Sequence, residues 1–293
     1  MMDIRKLQKK LLKEELKRSR QKSFFWRRGL PGLLLILTLF FGGLLYTTSR
    51  LDSSLEADFS KAGISAGEKN YQNALDYYEG IYRRNPTFHL AGQALYQSAE
   101  IKNLYLKRYS EALLDYLLLQ KNYPEEFILV RNAQLRIADI YKNQQRDYQR
   151  AAGEYRKALE LGSENPDRIQ YEIADSYFRQ EDYRQAVSAF SELRKTYPQS
   201  PLLAEAGYRV ATVYSLLGES DSAIENFREV MARWPQSSYS VEARFGLAAV
   251  LEERENFSEA LTLLRSLLGQ YNNSEIIEKK IAMLELRMKK LRR

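Results

Sequence analysis

The sequence predicts an all-α solenoid of helical hairpins preceded by a single transmembrane helix, and three observations carry that prediction. Six alanines, Ala74, Ala112, Ala151, Ala186, Ala223 and Ala260, recur at intervals of 38, 39, 35, 37 and 37 residues, each four positions before a bulky residue. Residues 29–46, GLPGLLLILTLFFGGLLY, carry no charge over 18 positions. Composition adds no strand-rich block that would form a second globular domain: 293 residues, 44% apolar, with seven prolines. A period near 37 belongs to stacked helical hairpins, because one hairpin cannot bury its own apolar face and needs neighbours on both sides.

Taken in chain order, residues 1–28 form a basic tail with eleven Lys or Arg against three Asp or Glu, a net of +8. Ile4, Leu7, Leu11 and Leu16 fall near one helical face among the lysines, a pattern suited to anionic lipid. Its simpler role is to set topology. The apolar run follows, and 29–47 is long enough for a transmembrane helix. Nine Leu or Ile there favour insertion by roughly 0.3–0.6 kcal/mol each. Beyond Thr47 the next fifteen residues hold Arg50 and Lys61 against Asp52, Glu56 and Asp58. The positive-inside rule therefore puts the N-terminus in the cytoplasm and the repeats across the membrane. Phe24, Phe25 and Trp26 beside Arg27 and Arg28 read as an interfacial anchor. The competing reading is a cleaved signal peptide, but LLYTTS offers no A-x-A site and the charged segment is long.

Residues 48–273 hold about six repeats, and 274–293 read as a basic capping helix with Ile277, Ile281, Leu284 and Met288 at helical spacing. In each repeat the second helix opens on a stretch such as NYQNALDYY, DYRQAVSAF or NFSEALTLL. Asn70, Asp182 and Asn256 stand where a side-chain oxygen caps a helix, and Glu259 where a capping box places its acid. Each first helix carries a small residue, as in YEIADSY, YRVATVY and FGLAAVL, where Ala174, Ala211 and Ala248 precede their partner alanines by 12 residues. Repeats two and three have one extra residue in that interval. Small residues at both places let two helices approach closely, and a larger one overpacks the seam at a cost of about 1–3 kcal/mol.

This frame resembles the tetratricopeptide repeat, with a small residue at repeat position 8, a bulky one at 11, Ala at 20, an aromatic at 24 and Pro at 32. Repeat four matches through Ala174, Tyr177, Ala186, Phe190 and Pro198, and repeat five through Ala211, Tyr214, Ala223, Phe227 and Pro235. The others match in part: Ala62, Ala74, Tyr78 and Pro86; Ala99, Ala112, Tyr116 and Pro124; Ala138, Tyr141, Ala151, Tyr155 and Ala158; and Ala248, Ala260 and Leu264. The resemblance implies a protein-binding scaffold whose first helices line a groove. At position 5 stand Phe59, Tyr96, Leu135, Tyr171, Tyr208 and Phe245, five aromatics in six repeats. Their groove neighbours are Asp175, Phe178 and Arg179 in repeat four, then Thr212, Glu242 and Glu252. Rings give apolar contact and charges orient a bound protein or peptide. The same rings could instead pack between hairpins. They also replace the Lys and Asn of the family's carboxylate clamp, which argues against capture of chaperone C-terminal tails.

Chemistry has little footing. Cys is absent, which excludes a thioether-linked lipid, disulfides and thiolate ligands. The single histidine, His89, cannot build a multi-histidine metal site, no phosphate-cradling glycine motif occurs, and no cofactor is implied. Of the formal charge of +7, the tail supplies +8 and residues 274–293 supply +4, leaving −5 elsewhere, so nucleic acid is not an expected partner. The linkers PQSPLLAEA and PQSSYSVEA are similar to those of bacterial envelope repeat proteins that coordinate assembly and division. The expected protein is a single-pass scaffold of the bacterial inner membrane, its repeats in the periplasm, with no enzymatic activity. Two other readings stand beside it: an ancillary translocon subunit handing chains to chaperones, and a cell-wall enzyme or its regulator.

Overall fold

In the computed structural model the backbone is described for residues 4–271 and 274–291, and side chains for these except 4–8, 19–32 and 42–49. Every described element is helical. The helices are α1 (Ile4–Gly67), α2 (Tyr71–Arg84), α3 (Ala91–Glu100), α4 (Tyr109–Asn122), α5 (Phe127–Ile140), α6 (Tyr148–Glu160), α7 (Pro166–Arg179), α8 (Tyr183–Thr196), α9 (Leu203–Leu216), α10 (Ser220–Arg233), α11 (Ser238–Glu253), α12 (Phe257–Ser266) and α13 (Ser274–Leu291). The chain divides into two compact units, 1–94 and 95–293, with the division inside α3.

In the first unit α1 packs on α2 to make one hairpin. In the second, α5 packs on α6, α7 on α8, α9 on α10 and α11 on α12, each second helix also touching the next first helix, and α13 closes against α12. The sequence frame explains the seams. Ala62, Ala74, Ala99, Ala112, Ala138, Ala151, Ala174, Ala186, Ala211, Ala223 and Ala260 are fully buried, and Ala248 nearly so. Across those seams the position-5 ring meets the ring at position 24: Phe59 on Tyr78 at 5.3 Å, Tyr96 on Tyr116 at 6.0 Å, Tyr171 on Phe190 at 5.5 Å and Tyr208 on Phe227 at 6.1 Å between centroids. Such edge and tilted contacts add about 0.5–1.5 kcal/mol beyond area burial. At Gly246 the approach is tightest, since a Cβ there would lie 2.6 Å from the Phe227 ring.

Each hairpin turns through one residue in left-handed conformation immediately before the second helix: Lys69, Lys107, Arg146, Glu181, Gly218 and Glu255. Only one of the six is glycine. The next residue caps the helix where its chemistry allows. Asn70, Asp147 and Asp182 accept from the backbone N–H three residues on, at 3.4, 3.0 and 3.3 Å. Asn256 departs from the expected backbone cap. Its amide Nδ2 donates to Glu259 Oε2 at 2.9 Å, so the acid holds the Asn side chain and leaves the helix N–H groups uncapped by it.

The extra residues of repeats two and three are taken up as π-helical turns at the ends of their first helices, Ile101–Tyr105 and Tyr141–Gln145. An i→i+5 turn absorbs one inserted residue without breaking the helix. Leu106 N–H reaches Ile101 C=O at 3.1 Å, and Arg146 N–H reaches Tyr141 C=O. Each turn also buries a lysine. Lys102 Nζ meets Asp115 Oδ2 at 2.7 Å, with the Ser98 hydroxyl donating to the same oxygen, while Lys142 lies between Glu172 and Asp175.

Helix α1 is continuous from Ile4 to Gly67, through the expected tail, the expected span and the first repeat. Among the described residues no helix is long and apolar enough to cross a membrane. The expected span at 29–47 lies in part outside the residues whose side chains are described. Within 33–41, where they are described, Leu33, Leu34, Leu35, Ile36, Leu37, Leu39, Phe40 and Phe41 are exposed.

Candidate functional site

The first helices of repeats two to five place polar side chains around three adjoining cavities in the second unit. The largest, of ≈ 510 Å³, is lined from α3 by Tyr96, from α5 by Asn132, Leu135, Arg136 and Asp139, and from α7 by Arg168 and Glu172. A second, of ≈ 360 Å³, runs from Asp139 and Lys142 to Glu205 and Arg209 of α9. A third, of ≈ 230 Å³, lies between the two π turns, against Asn103, Leu104, Asn143 and Gln144. Asp139 lines all three.

The walls are a network of charge. Arg136 grips Glu100 through two bonds, Nε to Oε1 at 2.9 Å and an Nη to Oε2 at 3.0 Å, and the Tyr116 hydroxyl donates to the same carboxylate. Asp175 Oδ2 receives Lys142 Nζ at 2.6 Å and Arg179 Nε at 2.7 Å. Glu172 is shared between Lys142 and Arg168, and Glu205 Oε1 accepts from the Tyr171 hydroxyl at 2.5 Å. The Tyr155 hydroxyl donates to Asp139 Oδ1 at 2.5 Å. Arg209 stands over the Phe178 ring, 3.7 Å from Glu205, and its Nε is the one buried polar side-chain atom without a partner among the described residues.

Titration follows from these contacts. Burial pushes the Asp139 carboxyl up, and neither the Tyr155 hydroxyl nor the nearby cations reverse it. Burial also penalises the Asp175 carboxylate, but Lys142 and Arg179 override it and hold the group below the ordinary carboxylate range. Burial raises the Tyr171 phenol, and its bond to Glu205 raises it further, so it remains a neutral donor. Carboxylates engaged by ammonium, guanidinium and phenol groups line the cavities as paired donors and acceptors.

The residues expected from the sequence fall into three settings. Tyr96 lines the largest cavity, and Tyr171, Asp175 and Arg179 the second, although only the rim of Tyr171 faces it because the ring is 5% exposed. Phe178, Tyr208, Thr212, Glu242, Phe245 and Glu252 continue along the first helices toward the C-terminal end. Tyr208 meets Tyr239 at 5.8 Å, Phe245 stacks on Tyr271 at 5.1 Å, Glu242 accepts from Tyr271 at 3.1 Å, and Glu252 binds Lys280 at 3.3 Å. The Thr212 hydroxyl turns back to Tyr208 C=O at 2.9 Å. Phe59 belongs to the first unit and packs on Tyr78. Asn132, Arg136, Asp139, Lys142, Arg168, Glu172, Glu205 and Arg209 join the expected residues at the cavities without having stood out in the sequence. Several of them occupy positions 2, 6, 9 and 12 of the same frame, and the extra residues of repeats two and three pointed to the place. Among the described residues no group of His, Asp and Glu is arranged to hold a metal ion.

Family models of the tetratricopeptide repeat match residues 167–236 and 216–284. The matched stretch runs from α7 into α13 and takes in the hairpins whose frame is most complete. No curated protein matches the chain. Among solved structures, a tetratricopeptide repeat protein from Parabacteroides merdae ATCC 43184 is 16% identical with a TM-score of 0.54, over 80% of this chain and 88% of that one. The apo form of RapI is 19% identical with a TM-score of 0.55, over 73% of this chain and 64% of that one. At these identities the likeness is one of fold. Of the helices that line the cavities, α7 and α9 fall within the matched residues, and α3 and α5 precede them.

Proposed function

We propose that the chain is a membrane-anchored scaffold whose repeats two to five hold an extended segment of a partner protein, and that it performs no chemistry of its own. The observation that carries this is the run of three adjoining cavities walled by paired donors and acceptors and centred on Asp139. Such walls satisfy the backbone amides and polar side chains of an extended chain, and Tyr96 and Leu135 supply apolar contact. Anchoring is supported by the exposed apolar residues between Leu33 and Phe41 and by the uncharged run around them, since a patch of that kind needs a cover. The excess of Lys and Arg in residues 1–28 orients the N-terminus to the cytoplasm and the repeats outside it. The linkers and the absence of Cys favour a bacterial envelope protein of the assembly or division type.

The test is capture from crosslinked native membranes with variants that spare the seams. Asn143 and Arg168 are exposed at the cavity rims and Asn132 is half-buried. Replacing the three with Ala should leave the melting transition in place and remove a discrete captured protein. Capture of the same proteins by the intact chain and by the folded variant would refute the groove assignment.

A further inference from the structure

Helix α13 separates charge around its axis. With 3.6 residues per turn, Ile277, Ile281, Leu284 and Met288 project to one side and join the core formed with α11 and α12. Its three acids, Glu275, Glu278 and Glu285, fall on a second sector, where Glu285 binds Arg265 at 2.7 Å. The remaining arc, about 140° wide by the same helical geometry, holds Ile276, Lys279, Lys280, Met283, Leu286, Arg287, Lys290 and Leu291 and no acid. Its apolar members are open to solvent: Met283 is 70% exposed, Leu291 66%, Leu286 59% and Ile276 44%. Two of its cations are tied inward, Lys280 to Glu252 and over the Phe245 ring, and Arg287 over Phe257. Lys279 and Lys290 face out, Lys279 in an exposed pair with Glu275.

A cap that only solvated the end of the stack would show polar side chains on this arc. Long apolar side chains interleaved with lysines along one side of an 18-residue helix are the pattern of a helix lying in a membrane interface, where the apolar groups enter the acyl boundary and the cations meet phosphate. We propose that this arc of α13 rests on the surface of an anionic bilayer. Arg292 and Arg293, next in the sequence, add to the same charge. The proposal does not depend on the groove or on the apolar segment of α1.

The chain has no cysteine, so single labels are clean. Full-length protein carrying Met283→Cys with an environment-sensitive fluorophore is mixed with vesicles of phosphatidylglycerol and phosphatidylcholine containing spin-labelled lipid. A parallel sample labelled at Ile36→Cys reports the apolar segment. The expected result is a blue shift and quenching at position 283 in these vesicles, absent in phosphatidylcholine alone. K279E/K290E should abolish it while leaving the circular dichroism spectrum and the signal at position 36 unchanged. An unquenched label at 283 beside a quenched one at 36 overturns the proposal and leaves the anchor standing. Equal quenching in phosphatidylcholine alone also overturns it, as does lipid-free protection that rises with protein concentration, which would assign the arc to a second copy of the chain.

Discussion

Tyr171 joins the hairpin seam to the groove in one side chain: its ring packs edge-on against Phe190 and its hydroxyl donates to Glu205. Tyr171→Phe should keep the packing and cost about 1 kcal/mol through the lost hydrogen bond. Tyr171→Ala should cost about 3–5 kcal/mol, because the ring is buried and leaves a cavity. Thermal denaturation separates the two. Asp175 and Asp139 make opposite predictions about pH. The Asp175 carboxyl is held below its unfolded value of 3.8, so its contribution is present above that value and is lost as pH falls through the lower folded one. Asp175→Asn should therefore destabilise the fold at neutral pH, by about 1–3 kcal/mol given that Lys142 keeps Glu172. Asp139 is raised above 3.8, so the folded state binds its proton more tightly and stability falls as pH rises from 3.8 through the higher folded value. Asp139→Asn retains an acceptor for the Tyr155 hydroxyl. It should gain stability at neutral pH and none below 3.8, as read by chemical denaturation across that range.

At the scale of the element, the six hairpin turns place left-handed backbone at the same step of each repeat, with a side chain on all but Gly218. Left-handed conformation costs a side-chain-bearing residue roughly 1–2 kcal/mol, which glycine avoids. Glu181→Gly should raise stability and Gly218→Ala should lower it, each by about 1 kcal/mol, with ΔG from urea melts as the readout. Gly246→Ala should cost about 1–3 kcal/mol, since its methyl group meets the outer end of the Phe227 ring. The seams were legible in the sequence because close approach demands alanine at two fixed places and a bulky residue beside them, and those demands recur six times. The groove was less legible. Arg168, Glu172 and Asp139 are charged residues on helices already rich in charge, and only tertiary packing brings them to common cavities. The inserted residues of repeats two and three were visible as a spacing of 13, yet their outcome as π turns with buried lysines depended on Asp115, Glu172 and Asp175 from other helices.

For the molecule as a whole, the proposed function divides the repeats between seams that hold the stack together and first-helix walls that would meet a partner. This predicts that seam variants lose melting temperature in proportion to lost binding, whereas rim variants such as Arg168→Ala lose binding alone. The most direct test places a photo-crosslinking residue at Asn143, within the second π turn, and at Leu114 on α4 as a control, both exposed. The account predicts a discrete protein adduct from position 143 in native membranes, absent from position 114. The same adducts from both positions, or none from position 143 while the full chain still captures a partner, would contradict it.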